Sequence, residues 1–190
     1  MSESNHAFGQ ALVKSLVGER GHIPIARALP DLTLELASYT IEGIPYSIYQ
    51  LVKHMGYWQD FMLTHLEGGQ PQRPTSIQES WPAEKAPAEE SQLQEAIAHL
   101  LQGVDKAVAI AQSAKLDEPL AHFPGETKGG LLRNIASHNS YHLGEIVLLR
   151  RLQGAWPPPG GRLSCLKRII LEKVCNVRLQ AFCYRSNNIH

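Results

Sequence analysis

Seven residues near the end of the chain's apolar patterning constrain its fold more than any other feature. Leu131, Ile135, His138, His142, Glu145, Leu149 and Leu152 follow one another in alternating steps of four and three. An α-helix aligns such positions in one row, and a row of this spacing is the core-facing seam of a helix in a bundle. The seam is apolar at both ends, but its middle carries imidazole, imidazole and carboxylate. Burying such groups unpaired costs about 2–7 kcal/mol each even when uncharged. The pattern therefore predicts that they bind something. His138 and His142 stand one turn apart, so both rings can reach a single ion; the other outlet is hydrogen bonding to polar core groups.

Three further segments have helical periodicity. The first helix is expected from about Asn5 to Glu19, with Phe8, Leu12 and Leu16 on one face. The second runs from about Pro45, a residue suited to a first helical position, to Leu66, before Gly68-Gly69. The third runs from about Pro87 to Ala114, with Leu93, Ile97, Leu100, Val104 and Val108 as its stripe. The fourth, carrying the seam, runs from about Thr127 to Leu152 and stops before Gly154 and three consecutive prolines. Short helical turns are expected at Ile25–Leu29 and Leu32–Ser38, and an exposed loop over Gly68–Ala86, rich in Pro, Gln and Ser. Strand signals are poor, so the expectation is an all-α four-helix bundle.

Two neutral imidazoles rarely hold a metal tightly, and His54 is the best third ligand. It lies mid-way along the second helix on a face shared with Trp58, Phe61 and His65. His65 is about 16 Å further along at 1.5 Å per residue and cannot share the ion. His99 is expected beside the seam of the third helix and partly exposed, and His22 near the mouth of the site. Other chemistries lose support. The His138–His142 stretch lacks the Glu that follows the first His in helical zinc proteases. There is no Glu-x-x-His pair of the di-iron kind, no Walker A sequence, no Gly-x-Gly-x-x-Gly and no Gly-x-Ser-x-Gly elbow.

A formal net charge of +0 over 190 residues speaks against nucleic acid as a partner. No apolar stretch approaches a membrane span, and no charged start followed by an apolar run is seen at Met1. These readings make the cytoplasm the expected location. Cys165, Cys175 and Cys183 are odd in number and confined to one end, which is no disulfide framework.

The stretches Tyr46-Ser-Ile-Tyr-Gln-Leu-Val-Lys-His54-Met-Gly-Tyr-Trp58 and His138-Asn-Ser-Tyr-His142-Leu-Gly-Glu145, with the ending Gly154-Ala-Trp156-Pro-Pro-Pro, resemble the DinB/YfiT-like superfamily. The resemblance spans roughly Asn5 to Gly160. It implies an up-down-down-up four-helix bundle, often a homodimer, with one His from the second helix and two from the fourth around a divalent ion. Those positions correspond to His54, His138 and His142. The ion expected first is zinc, with nickel, manganese or iron(II) also compatible. Glu145, Trp58, Tyr141 and Asn139 are expected to support the ligands or line a substrate pocket. The family often has Gln where Glu145 stands, so Glu145 either braces a ligand or joins the ion.

Some members of the family look like metal-dependent transferases that join a low-molecular-weight thiol, such as bacillithiol or mycothiol, to an electrophile. A small-molecule substrate and a thiol co-substrate are therefore expected. Water in the thiol's place gives hydrolysis instead. A non-catalytic protein, in which the ion braces the bundle or senses metal or stress, is the competing reading.

The four-helix domain is expected over 1–161. Residues 162–190 then form a separate basic tail, with every Cys, six Lys/Arg and a single acidic residue, Glu172. Leu163, Leu166, Ile169, Ile170 and Val174 suit one amphipathic helix there. The alternatives for the tail are a frame-shifted or read-through end and a partner-binding or membrane-surface helix; a metal-binding Cys cluster is disfavoured, because intervals of ten and eight match no standard zinc module.

Overall fold

Three of the helices start where a side chain takes up a free N–H group. In the computed structural model, which describes residues 3–19 and 21–158, the helices are α1 (Glu3–Val17), α2 (Ile25–Ala28), α3 (Leu34–Ser38), α4 (Ile48–Leu66), α5 (Glu90–Ser113) and α6 (Lys128–Leu152). A 3-10 turn covers Ile77–Ser80, and no β-strand occurs among the described residues. The tail expected over 162–190 lies outside them. α4 begins three residues after Pro45 because Ser47 and Gln50 form a reciprocal capping box, the Ser47 hydroxyl accepting from the Gln50 backbone N–H and the Gln50 side-chain Oε1 from the Ser47 N–H. Pro45 is thus outside the helix. Thr127 caps α6 by accepting from Gly130 N–H. α4 ends where Gly68 takes a φ of 88°, which glycine adopts without steric cost.

The long helices form a square in which α1 and α4 each pack on both α5 and α6. Cross-helix contacts fix their directions. Asn5 meets Ala114 and Leu116, while Gly9 faces Ala111, so α1 and α5 are antiparallel. Gly56 faces His99 and Gln59 faces Gly103, so α4 and α5 are parallel. Tyr46 meets Glu145, Gln59 meets Asn139 and His65 meets Phe123, so α4 and α6 are antiparallel. The result is an up-down-down-up bundle. Parallel α4 and α5 cannot be joined by a tight hairpin, and the chain between them must travel the length of the bundle.

Two apolar clusters fill the interior. Leu51, Val52 and Met55 meet Leu93, Leu100, Leu143 and Ile146 in one, which α2 and α3 cover. Leu12, Leu16, Leu63 and Leu66 meet Leu131, Leu132 and Ile135 in the other. Each fully buried Leu or Ile contributes about 1.5–3 kcal/mol relative to exposure. Between the clusters the α6 seam turns polar. Arg150, 1% exposed, anchors the far end. It donates to the carbonyls of Ala28, Pro30 and Ala155 at 2.6, 2.8 and 3.1 Å.

Two expectations need correction. Leu152 closes the seam in sequence but is 57% exposed, because the core ends at Leu149. The segment Gly68–Ala86 is not merely an exposed loop. Its 3-10 turn packs on α4, Ser80 is buried, and Trp81 packs against the first apolar cluster.

Candidate metal centre

Antiparallel α4 and α6 bring His54 opposite His138 and His142. One ring nitrogen from each lies within 4.8 Å of the others. The ring centroids are 5.2 Å apart for His54–His138, 4.7 Å for His54–His142 and 4.5 Å for His138–His142.

Hydrogen bonds orient two of the rings. His54 Nδ1 donates to the Ser80 carbonyl at 3.1 Å, which leaves the Nε2 lone pair free. His142 Nδ1 lies 2.6 Å from Glu145 Oε2 and leaves its Nε2 free in the same way. His138 Nδ1 is buried with no hydrogen-bond partner among the described residues. Burial lowers the pKa of His54 to about 4, against the opposing pull of the Ser80 carbonyl. Burial, then the neighbouring His142 and His54, lowers that of His138 to about 3. Both imidazoles are therefore neutral at physiological pH, the form that ligates a metal. A partnerless buried nitrogen and two oriented lone pairs fit a divalent cation.

Glu145 is engaged at both ends. Its Oε1 accepts from the Tyr46 hydroxyl at 2.5 Å while Oε2 holds His142. Burial first, and then the Glu145 hydrogen bond, pushes the Tyr46 pKa up to about 12, so the phenol keeps its proton. Tyr46 stacks on Trp81 at 5.1 Å, and Trp81 stacks on His54 at 3.9 Å with the rings 10° from parallel. A closed circuit thus runs from His142 through Glu145, Tyr46 and Trp81 to His54.

The three histidines lie in the wall of a cavity of about 540 Å³, lined otherwise by Trp58, Met62, Ile77, Trp81, Asn134 and Tyr141. Trp58 and Tyr141 are where a pocket needs them. Asn139 is not. One residue beyond His138 it has rotated about 100° around the helix, and its amide donates to Gln59 Oε1 at 3.0 Å inside the bundle. His22 is not at the mouth either: its Nδ1 is 2.8 Å from the Ile23 carbonyl and its Nε2 3.3 Å from the Ser15 carbonyl, at the end of α1. His99 pairs with Asp60 at 2.7 Å on the surface. A larger hollow, about 840 Å³, lies against Trp81 and Ser80 on the α4–α5 side. None of the three histidines lines it, so the smaller cavity is the one that matters for them.

A family model described as the DinB superfamily matches residues 25–146. The chain belongs to the DinB superfamily. The matched span includes α2 to α5 and α6 as far as Ile146, hence all three clustered histidines and Glu145. No curated protein and no solved structure matches the chain. Within this DinB bundle, the functional parts that sequence reasoning missed are Ser80, Trp81 and the Tyr46–Glu145 bond. The one available signal was Trp81 itself, a large apolar ring in an otherwise polar connection.

Proposed function

We propose that this protein is a divalent-metal-dependent enzyme that transfers a low-molecular-weight thiol to a small apolar electrophile, with His54, His138 and His142 as the metal ligands. One observation carries the reading. Three imidazoles converge at the wall of an open, mainly apolar cavity, while the Glu145 carboxylate is already held by His142 and Tyr46. A structural site is closed by a fourth protein ligand, whereas a catalytic site leaves a position open.

A divalent cation, zinc first among the candidates, would supply the field that favours thiolate over thiol at neutral pH. The protein's own groups do the rest. Ser80 and Glu145 fix the tautomers of His54 and His142, so that lone pairs rather than N–H groups face the centre. Trp81 holds the His54 ring in plane. Trp58, Met62 and Ile77 shed water and accept the apolar body of the electrophile. Asn134 and Tyr141 are the amide and hydroxyl of the lining, placed to hold its polar end.

The test begins with metal analysis of protein purified without a His tag. Thiol consumption is then measured against a panel of electrophiles, with water-dependent hydrolysis followed in parallel. Stoichiometric metal with thiol loss that His54→Ala abolishes supports the reading. Metal-dependent hydrolysis without thiol loss replaces it with a hydrolase, and no stoichiometric metal refutes it.

A further inference from the structure

The face of α4 that bears His54 continues through Trp58 and Phe61 to His65, at successive ring-to-ring distances of 5.5 Å and 4.9 Å for the last two steps. At His65 a separate cavity of about 560 Å³ opens. It forms where the glycine-turned end of α4 meets the connection between α5 and α6. That connection is tied down by Leu120 N–H to the Glu126 carbonyl at 3.0 Å and Lys128 N–H to the Glu118 carbonyl at 3.0 Å.

The chemistry of this cavity is distinctive. His65 is 7% exposed. Its ring contacts are the edge-on faces of Phe61 and Phe123, at 4.9 and 5.0 Å. Its ring makes no hydrogen bond among the described residues. Its nitrogens are not among the sealed, partnerless atoms of the interior, so they face the cavity that the residue lines. Arg73, His122 and Gln70 complete the polar lining, and no carboxylate belongs to it. Arg73 forms no ion pair among the described residues. Burial, followed by the proximity of His122, lowers the His65 pKa, which leaves this imidazole able to donate one hydrogen bond and accept another. The Arg73 guanidinium, with no carboxylate in the lining to offset its charge, disfavours a cation here and favours an anion.

We propose that this cavity is a second ligand site, which binds a small organic oxyanion: a carboxylate or phosphate monoester carried on an aromatic or apolar body. Arg73 presents its planar fork to two oxygens of the headgroup, the geometry in which arginine binds such groups best. His65 donates an N–H group from deeper in the cavity, and Gln70 donates one from its exposed rim. Phe61 and Phe123 take the apolar body. The metal-centre reading uses none of these residues, so the two proposals stand or fall separately.

Calorimetric titration of the full chain with phenyl phosphate, benzoate, inorganic phosphate and benzylamine tests it. Saturable binding of phenyl phosphate or benzoate, and none of benzylamine, is expected; the tighter of the two names the headgroup. Arg73→Gln, a change on the exposed rim, is expected to weaken binding roughly tenfold or more, as for loss of a hydrogen bond to a charged group, with an unchanged melting temperature. His138→Ala is expected to bind as wild type does. Absence of saturable binding at millimolar concentrations overturns the proposal, as does an Arg73→Gln protein that binds like wild type. Loss of binding in His138→Ala also overturns it, because the oxyanion then sits at the histidine cluster.

Discussion

Gly103 and Gly144 both lie in helix interiors, where replacing Gly by Ala ordinarily stabilises by about 0.5–1 kcal/mol. The structure assigns the two replacements opposite signs. A Cβ at Gly144 meets nothing within 4 Å, so Gly144→Ala gains the full propensity term. A Cβ at Gly103 falls 1.9 Å from Gln59 Nε2 and 2.8 Å from its Cδ. A flexible amide on the surface would swing away, but Gln59 is completely buried. Its Nε2 donates to the Leu100 carbonyl at 2.9 Å, and its Oε1 accepts from Asn139 at 3.0 Å. Moving it breaks both bonds, at about 1–3 kcal/mol for each group left unsatisfied. Against a gain of at most about 1 kcal/mol, Gly103→Ala is expected to destabilise by roughly 2–4 kcal/mol. Urea unfolding of metal-free protein followed by circular dichroism reads both variants, provided the denaturant slope is unchanged. In a Gln59→Ala background the obstruction is gone, and Gly103→Ala is expected to be neutral or stabilising. A Gly103→Ala protein as stable as Gly144→Ala would refute the account of this contact.

Three further outcomes are expected. Chelation should lower the melting temperature of wild type but not of His138→Ala, because an ion at a hundredfold excess over Kd adds about 2.7 kcal/mol; equal responses in a differential scanning experiment would put the ion elsewhere. The metal-free protein should lose stability as pH falls. The folded pKa values of His54 and His138 are lowered to about 4 and about 3, so below about 6.5 the unfolded chain takes up protons that the folded chain refuses. Stability is then full above pH 6.5 and declines towards pH 4, by about 3 kcal/mol for His54 alone, and a denaturation series between pH 8 and pH 4 that stays flat would contradict this. Arg150→Met should cost about 3 kcal/mol, since the Ala28, Pro30 and Ala155 carbonyls lose their donor; a melting temperature within a degree or two of wild type would show that water replaces it.

Much of the bundle was legible because its helices obey one period. Leu131, Ile135 and Leu149 are buried as the seam requires, and the turns near Ile25 and Leu34 formed where short apolar runs placed them. The His138–His142 pair was legible from spacing alone, and His54 from the pair it could join. The rest depended on tertiary geometry. Ser47 outcompeted Pro45 as the start of α4 because a reciprocal cap satisfies two N–H groups and proline satisfies none. Asn139 followed its rotation around α6 to Gln59, a partner 80 positions away. Trp81 reaches His54 across 27 positions of chain, and no local pattern announces where a loop residue will land. For the same reason the bond from Tyr46 to Glu145, across 99 positions, had no signal in the sequence.

The parallel course of α4 and α5 has an architectural consequence. A bundle of four hairpin-joined helices exposes its mid-height to solvent on every side. Here the chain must run past that level to begin α5, and it lays Ile77, Ser80 and Trp81 alongside the histidines as it goes. The roof over the cavity is therefore written in a connection, while the three imidazoles are written in helices. Connections tolerate exchange and lengthening at small entropic cost, about 0.6 kcal/mol for each doubling. Swapping residues 70–79 can remodel what the cavity admits, while the helical positions of the imidazoles stay fixed.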